Sequence, residues 1–363
     1  MPTIHILTKG FASPNGIAFL FPLHAHRRRL ADAGIRFRCF TQCSPEVTAC
    51  DALIIDSRFY SHRWANDESA ALAELAAFAD QVPALLYFDI SDSTGWLQTQ
   101  VLPLVSRYYK AQLLVNRDAY RQPHYGNRIF GDYYHREFGI EDDDPAVNRV
   151  ITRDEDIAKL RVSWNSGLAD YSQWGPTIMA FRQRIPIDAM LRFPRHFTPP
   201  QAIRPIPFAC RFSSGYARHT VSFQREKIRE AMDDRLATGK ISRRAYLAEM
   251  RASRAVVSPF GFGEITLKDF EAMLCGALLI KPSMAHLETW PDLFHDGETM
   301  AAHRWDISDL HAVIESVLDD DTKRIEMASN AQARYRHHIA STDGYEEFCQ
   351  RFAAIIDDAL GSL

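Results

Sequence analysis

A chain of 363 residues with 46% hydrophobic, 24% charged and 11% aromatic side chains is rich enough in apolar sequence to bury two domain cores, which excludes general disorder. Its 17 glycines and 18 prolines exclude collagen-like and low-complexity architectures. A formal net charge of −4 argues against a dedicated nucleic-acid binder, which carries a basic face, and leaves local anion binding open.

In chain order, apolar runs alternate with helical patterns, as a parallel sheet wound with helices requires. Ile4 to Thr8 reads as a strand, Gly10 to Gly16 as a loop, and the following helix ends near Gly34, a suitable left-handed cap, with Pro22 in its first turn or kinking it. Arg36 to Phe40 and Ala52 to Asp56 read as strands and Asp67 to Asp80 as an alanine-rich helix. Ala84 to Phe88 is a continuous apolar strand, buried on both faces if the sheet is parallel. The polar run Asp89 to Gly95 follows, then a predicted helix to about Lys110 and a strand Leu113 to Asn116. Arg117 to Asp156 reads as a solvated loop, and Lys159 to Trp164 as the last strand of the first domain.

Five prolines between Arg192 and Pro207 mark an inter-domain connection. The alternation then restarts: strand Phe208 to Phe212, helices Phe223 to Met232 and Ser242 to Ser253, strand Ala255 to Ser258, helix Ile265 to Cys275 and strand Ala277 to Lys281. Helices Asp306 to Leu318, Thr322 to His338 and Gly344 to Leu360 close the chain. The expected architecture is α/β, two Rossmann-like doubly wound domains facing across a cleft, residues 1–195 and 196–340, with 341–363 packing back on the first. Such a fold places ligands at the carboxyl ends of its strands.

No run reaches the ~18 apolar residues of a membrane span, and the amino terminus lacks a signal-peptide pattern, so a cytoplasmic protein with reduced cysteines is expected. Cys39, Cys43 and Cys50 lack the second pair of a zinc or iron–sulfur pattern. His24 and His26 lie about 200° apart on a helix and cannot chelate one ion; His24 either lines the cleft or is structural. His337 and His338 are expected in solvent, and His286 and Glu288 near the cleft.

The segment Ser258 to Pro282 carries the chemistry. Gly261 and Gly263 let a backbone approach a ligand, and the helix opening just beyond them supplies amides and a positive dipole end for phosphate. Glu264 and Glu271, seven residues apart, fall within about 20° on one helix face. They reach ligand hydroxyls, or Glu264 pairs with Lys268 on the surface and Glu271 is solvated. The polar burst after strand Ala84 to Phe88 offers Asp89 and Asp92 as candidate bases, with helix capping as the competing role for Asp92.

Gly-Phe-Gly-Glu followed by Phe-Glu-Ala-Met-Leu-Cys-Gly-Ala-Leu-Leu-Ile resembles the donor-binding region of GT-B glycosyltransferases, particularly the group-1 and related bacterial surface-polysaccharide enzymes. The resemblance implies sugar transfer from a nucleotide-diphosphate sugar to a hydroxyl acceptor without a bound metal or other cofactor. It places donor contacts at Gly16, Arg211, Arg218, Gly261, Phe262, Gly263, Glu264, Lys268 and Glu271, with Glu271 on the ribose and the two arginines on the diphosphate. The family's first glutamate lies eight residues before the second, where this chain has Gly263. Asp92, Asp89 and His24 are the candidate catalytic groups of the acceptor side. The implied partners are the donor and a glycan or other hydroxyl acceptor, with no nucleic acid, and contact with a membrane surface stays compatible. A sugar-nucleotide 2-epimerase of the same architecture and a non-catalytic nucleotide-sugar-binding subunit are the alternatives.

Overall fold

The computed structural model describes residues 2–146, 148–169, 191–213, 215–232, 239 and 241–361. Two parallel sheets form the frame. The first contains β1 (Thr3–Leu7), β2 (Arg36–Phe40), β3 (Ala52–Asp56), β4 (Ala84–Asp89), β5 (Arg107–Lys110) and β7 (Leu160–Val162), in the order β2-β1-β3-β4-β5-β7. The second contains β8 (Ile206–Ala209), β9 (Ser253–Val257), β10 (Leu278–Pro282) and β12 (Met300–His303), in the order β12-β10-β9-β8. All neighbours in both sheets run parallel. A third, antiparallel ribbon joins the two halves: β6 (Gln112–Leu114) pairs with β11 (Leu287–Thr289).

All six residues of β4 are buried. Ala84, Leu86 and Phe88 join one core and Leu85 and Tyr87 the opposite one, the two-sided burial that its unbroken apolar sequence predicts. The first of these cores runs on through the second domain, taking in Phe270, Met273 and Leu279. Helix α1 (Pro14–Ala25) starts two residues earlier than Gly16, capped by Ser13, and carries Pro22 deep inside rather than in its first turn. A second short helix, α2 (Arg27–Asp32), follows, and Gly34 takes φ +84° beyond it.

Two expectations fail in the first domain. No long helix spans Gly95 to Lys110: Pro103, lacking an amide hydrogen, confines helical structure to a 3₁₀ segment Thr99–Leu104, and β5 follows. The stretch expected as a solvated loop contains helix α3 (Ile129–Phe138), which buries Phe130 and Tyr134 and ends at Gly139 with φ +66°. The final helix, α4 (Thr342–Leu360), lies on the first sheet: Arg107 binds Asp358 through Nε at 2.7 Å and Nη2 at 3.1 Å, and Arg351 donates to the carbonyls of Val162 and Ser163.

Candidate functional site

The carboxyl ends of both sheets face one cavity of about 480 Å³. The first domain contributes Pro14 and Asn15 after β1, Ile90 to Asp92 after β4, Gln112, and Ser163 to Ser166 after β7. The second contributes Tyr216, Gly261 to Gly263 and Ile265 to Leu267. Two helices begin at this cavity from opposite sides, α1 and the helix Leu267–Cys275. Their positive dipole ends make the space favourable for an anion.

The glycine loop is held by side chains of both domains. Arg225 donates to the carbonyls of Ser213 and Phe260, both at 2.8 Å, and Arg128 donates through Nε to the carbonyl of Phe262 at 2.8 Å. Phe262 is 43% exposed at the cavity wall and packs edge-on to Tyr216. At Gly263 an added Cβ would stand 2.1 Å from the main-chain oxygen of Asp92, so a glycine is required where the domains touch. Gly16 meets a similar constraint within its own domain, 2.4 Å from the oxygen of Gly10.

Glu264 does not share a helix face with Glu271. Thr266 and Asp269 form a capping box that starts the helix at Leu267, which leaves Glu264 in the preceding loop. Its buried carboxylate accepts from the Thr94 amide and from Gln112 Nε2, each at 3.0 Å, while His286 Nε2 lies 3.7 Å from the other oxygen. Burial would raise this carboxyl, but the His286 ring and the Thr94 amide outweigh it and hold it below the usual range. Glu264 therefore lies behind the loop as a connection between domains and does not line the cavity. Glu288 pairs with Arg117 instead.

Glu271 is buried on the Leu267–Cys275 helix and bonded to Arg243 Nη2 and the Tyr246 hydroxyl, both at 3.0 Å. Burial raises its carboxyl against the pull of Arg243. Arg211 forms a two-pronged pair with Glu249 at 2.7 and 2.6 Å, outside the cavity lining. Lys268 donates to the Arg211 carbonyl, and burial of its ammonium pushes it down to about 8. Arg218 lines a neighbouring cavity rather than this one.

On the acceptor side the two aspartates separate sharply. Asp89 is fully enclosed, accepting from Lys110 Nζ at 2.8 Å, the Tyr108 hydroxyl at 2.6 Å and the Ser91 amide at 2.9 Å. Burial opposes its ionisation, yet Lys110 and these donors hold its carboxyl low. Asp92 lines the cavity and is oriented by Asn15, whose Nδ2 donates to Asp92 Oδ1 at 2.8 Å and to the Ile90 carbonyl at 2.6 Å. His24 lies elsewhere, between Phe11 and Phe37 and 3.7 Å from Cys39 Sγ. His337 and His338 are not simply solvated: their rings lie 2.8 and 3.4 Å from Glu347, and Trp290 packs on His338.

Sequence reasoning passed over Asn15, Trp164, Asn127 and Arg128. Arg128 and Asn127 fall in the stretch read as a loop, and Asn15 gains meaning only when β4 brings Asp92 beside it. Trp164 carried one usable signal, its place at the end of the last predicted strand; it stacks on Phe19 at 5.6 Å in the cavity wall.

Residues 216–349 match the family model described as glycosyl transferase-like. The whole chain is similar in structure to sucrose-phosphate synthase from Thermosynechococcus elongatus, with a TM-score of 0.50, 10% identity and 100% of each chain covered. It is also similar to Anabaena Alr3699/HepE, solved in complex with UDP-glucose, at a TM-score of 0.45 and 13% identity, covering 98% of this chain and 100% of that one. A glycosyltransferase from Rickettsia africae gives a TM-score of 0.47 at 9% identity, over 99% and 98%. No curated protein sequence matches the chain. The protein has the two-domain GT-B fold, and residues 216–349 are similar to the glycosyl transferase-like family. No helix among the described residues is long and apolar enough to cross a membrane.

Proposed function

We propose that the protein is a glycosyltransferase that moves a sugar from a nucleotide-diphosphate sugar to a hydroxyl acceptor in glycan synthesis. The observation that carries this reading is the convergence of two helix amino termini, one from each domain, on the cavity between the two sheets. The donor diphosphate is placed between them, where the amides stabilise the charge that grows as the bond from the anomeric carbon to the diphosphate oxygen breaks. Asp92 takes the acceptor hydroxyl proton as the new glycosidic bond forms, and the nucleoside diphosphate departs. Asp92 is the only carboxylate in the described cavity lining. The proposed reaction uses no metal, and the helix ends carry the leaving-group charge.

Glu271 is the proposed ribose partner, and each of its oxygens, holding one bond from Arg243 or Tyr246, can accept a second from a ribose hydroxyl. Calorimetric titration with UDP, GDP and ADP against the matching nucleosides tests the reading. At least one diphosphate is expected to bind about tenfold or more tighter than its nucleoside, the gain of a charge-assisted contact. Equal binding of every diphosphate and its nucleoside overturns the diphosphate site. Unchanged diphosphate affinity in Glu271→Gln removes the ribose assignment.

A further inference from the structure

Beside the first cavity lies a second, of about 330 Å³, sharing Ser91 and Asp92 with it. Its wall carries three arginines, Arg58 and Arg128 from the first domain and Arg218 from the second, against a single carboxylate, Asp92. Two indole rings, Trp64 and Trp96, complete it. We propose that this arginine-walled cavity binds the acceptor, and that the acceptor is a saccharide bearing an acid group, carboxylate or phosphate. The proposal rests on the glycosyltransferase reading for the word acceptor, and on the cavity alone for the charged sugar.

Several observations point to a missing anion. Arg58 Nε and Arg218 Nη1 are buried without a hydrogen-bond partner. Asn127, only 2% exposed in the same wall, has neither its amide oxygen nor its amide nitrogen bonded. A buried polar atom left unbonded costs about 1–3 kcal/mol, a cost that oxygens of a ligand in this cavity would remove. Arg128 and Arg218 also repel each other: burial first, then the Arg218 charge, brings Arg128 down to about 10. An acid group beside them removes that repulsion, and the guanidinium forks of Arg58 and Arg218 suit its paired oxygens.

The remaining walls select a sugar over an inorganic ion. Indole faces suit the apolar face of a pyranose ring, and Asn127 and the serines suit its hydroxyls. At the ~30 Å³ that a water occupies in the liquid, the cavity holds roughly ten waters, the scale of one charged sugar residue. Asp92 stands at the junction of the two cavities, so a hydroxyl of a sugar held here faces the donor.

The test is calorimetric titration of the full chain with glucuronic acid, glucose 6-phosphate and glucose at constant ionic strength, in the wild type, Arg58→Met and Arg218→Met. Either charged sugar is expected to bind about tenfold or more tighter than glucose, the gain of a bidentate charge-assisted contact, and that preference should shrink to about threefold or less in the variants. Equal or absent binding of all three sugars in the wild type overturns the proposal without needing a variant. Inorganic diphosphate binding more tightly than glucose 6-phosphate, and losing that affinity in Arg58→Met, gives the arginines to the donor and also overturns it. A parallel UDP, GDP and ADP titration separates the two readings. Charged-sugar binding without any nucleotide binding keeps the cavity and removes the transferase, whereas the converse removes only the cavity's assignment.

Discussion

The amide of Thr94 and the carboxylate of Glu264 are 170 residues apart in the chain and 3.0 Å apart in space. With Gln112 they form a polar connection between domains, and hydrogen bonds to a buried charge contribute about 1.5–3 kcal/mol each. Glu264→Ala is expected to lower unfolding stability by roughly 3 kcal/mol. Urea unfolding measures it. A donor-sugar contact, the role the sequence resemblance implies, predicts instead that turnover falls while stability holds.

Gly263→Ala places a methyl 2.1 Å from the Asp92 carbonyl oxygen unless the domains separate. Overpacking of this kind costs about 1–3 kcal/mol. The variant should show a larger radius of gyration in solution scattering and lower turnover, with the nucleoside diphosphate affinity less affected. An unaltered scattering profile with full turnover shows that the loop yields without moving the domains.

Asp89→Asn and Asp92→Asn should diverge. Removing the Asp89 charge leaves Lys110 buried and unpaired, a loss of about 3–5 kcal/mol, visible as a lowered melting temperature. Asp92 is exposed, and its substitution should spare stability while depressing transfer by about 10²–10⁴-fold, the usual contribution of a general base. Full transfer in folded Asp92→Asn sinks the base assignment.

His26 stacks on Phe193 and lies against Tyr345 and Phe348, and burial lowers it from 6.5 to about 4. The unfolded chain takes up this proton first on acidification. Its stabilising contribution is therefore complete above pH 6.5 and is lost as the pH falls from 6.5 through 4, up to about 3 kcal/mol. His303, lowered to about 4 chiefly by burial, adds to the same window. His26→Phe should lessen the fall in melting temperature between pH 6.5 and 4 without abolishing it, because His338 is lowered by burial to about 4 as well. An unchanged profile assigns the acid sensitivity elsewhere.

Much of the frame was legible because burial on both faces writes unbroken apolar runs, as in Ala52 to Ile55 and Ala84 to Phe88. Gly34 and Gly276 marked helix ends for the same local reason, a positive φ. What failed depended on distance. The strand at Tyr108 and Tyr109 follows a proline-broken segment and carries charge at both ends, so its pattern resembles a helix terminus. Phe130 and Tyr134 are one turn apart but surrounded by Arg128, Asp132 and Arg136, which gave α3 the appearance of solvated sequence. The roles of Asn15, Gln112 and Arg128 come from partners more than seventy residues away, and no periodicity within the chain encodes those.

The ribbon of Gln112–Leu114 with Leu287–Thr289 restricts how the molecule breathes. β6 leaves β5 after a single residue, Ala111, so the ribbon is anchored tightly to the first sheet, while β11 belongs to the second half. A swing about the proline-rich connection alone would tear this ladder apart. Substrate entry by twisting about the ribbon keeps it intact, and deuterium uptake then distinguishes the two motions: the amide of Val115, bonded at 2.9 Å to the carbonyl of His286 at the end of the ribbon, stays protected in a torsional opening and exchanges with every cycle of a hinged one.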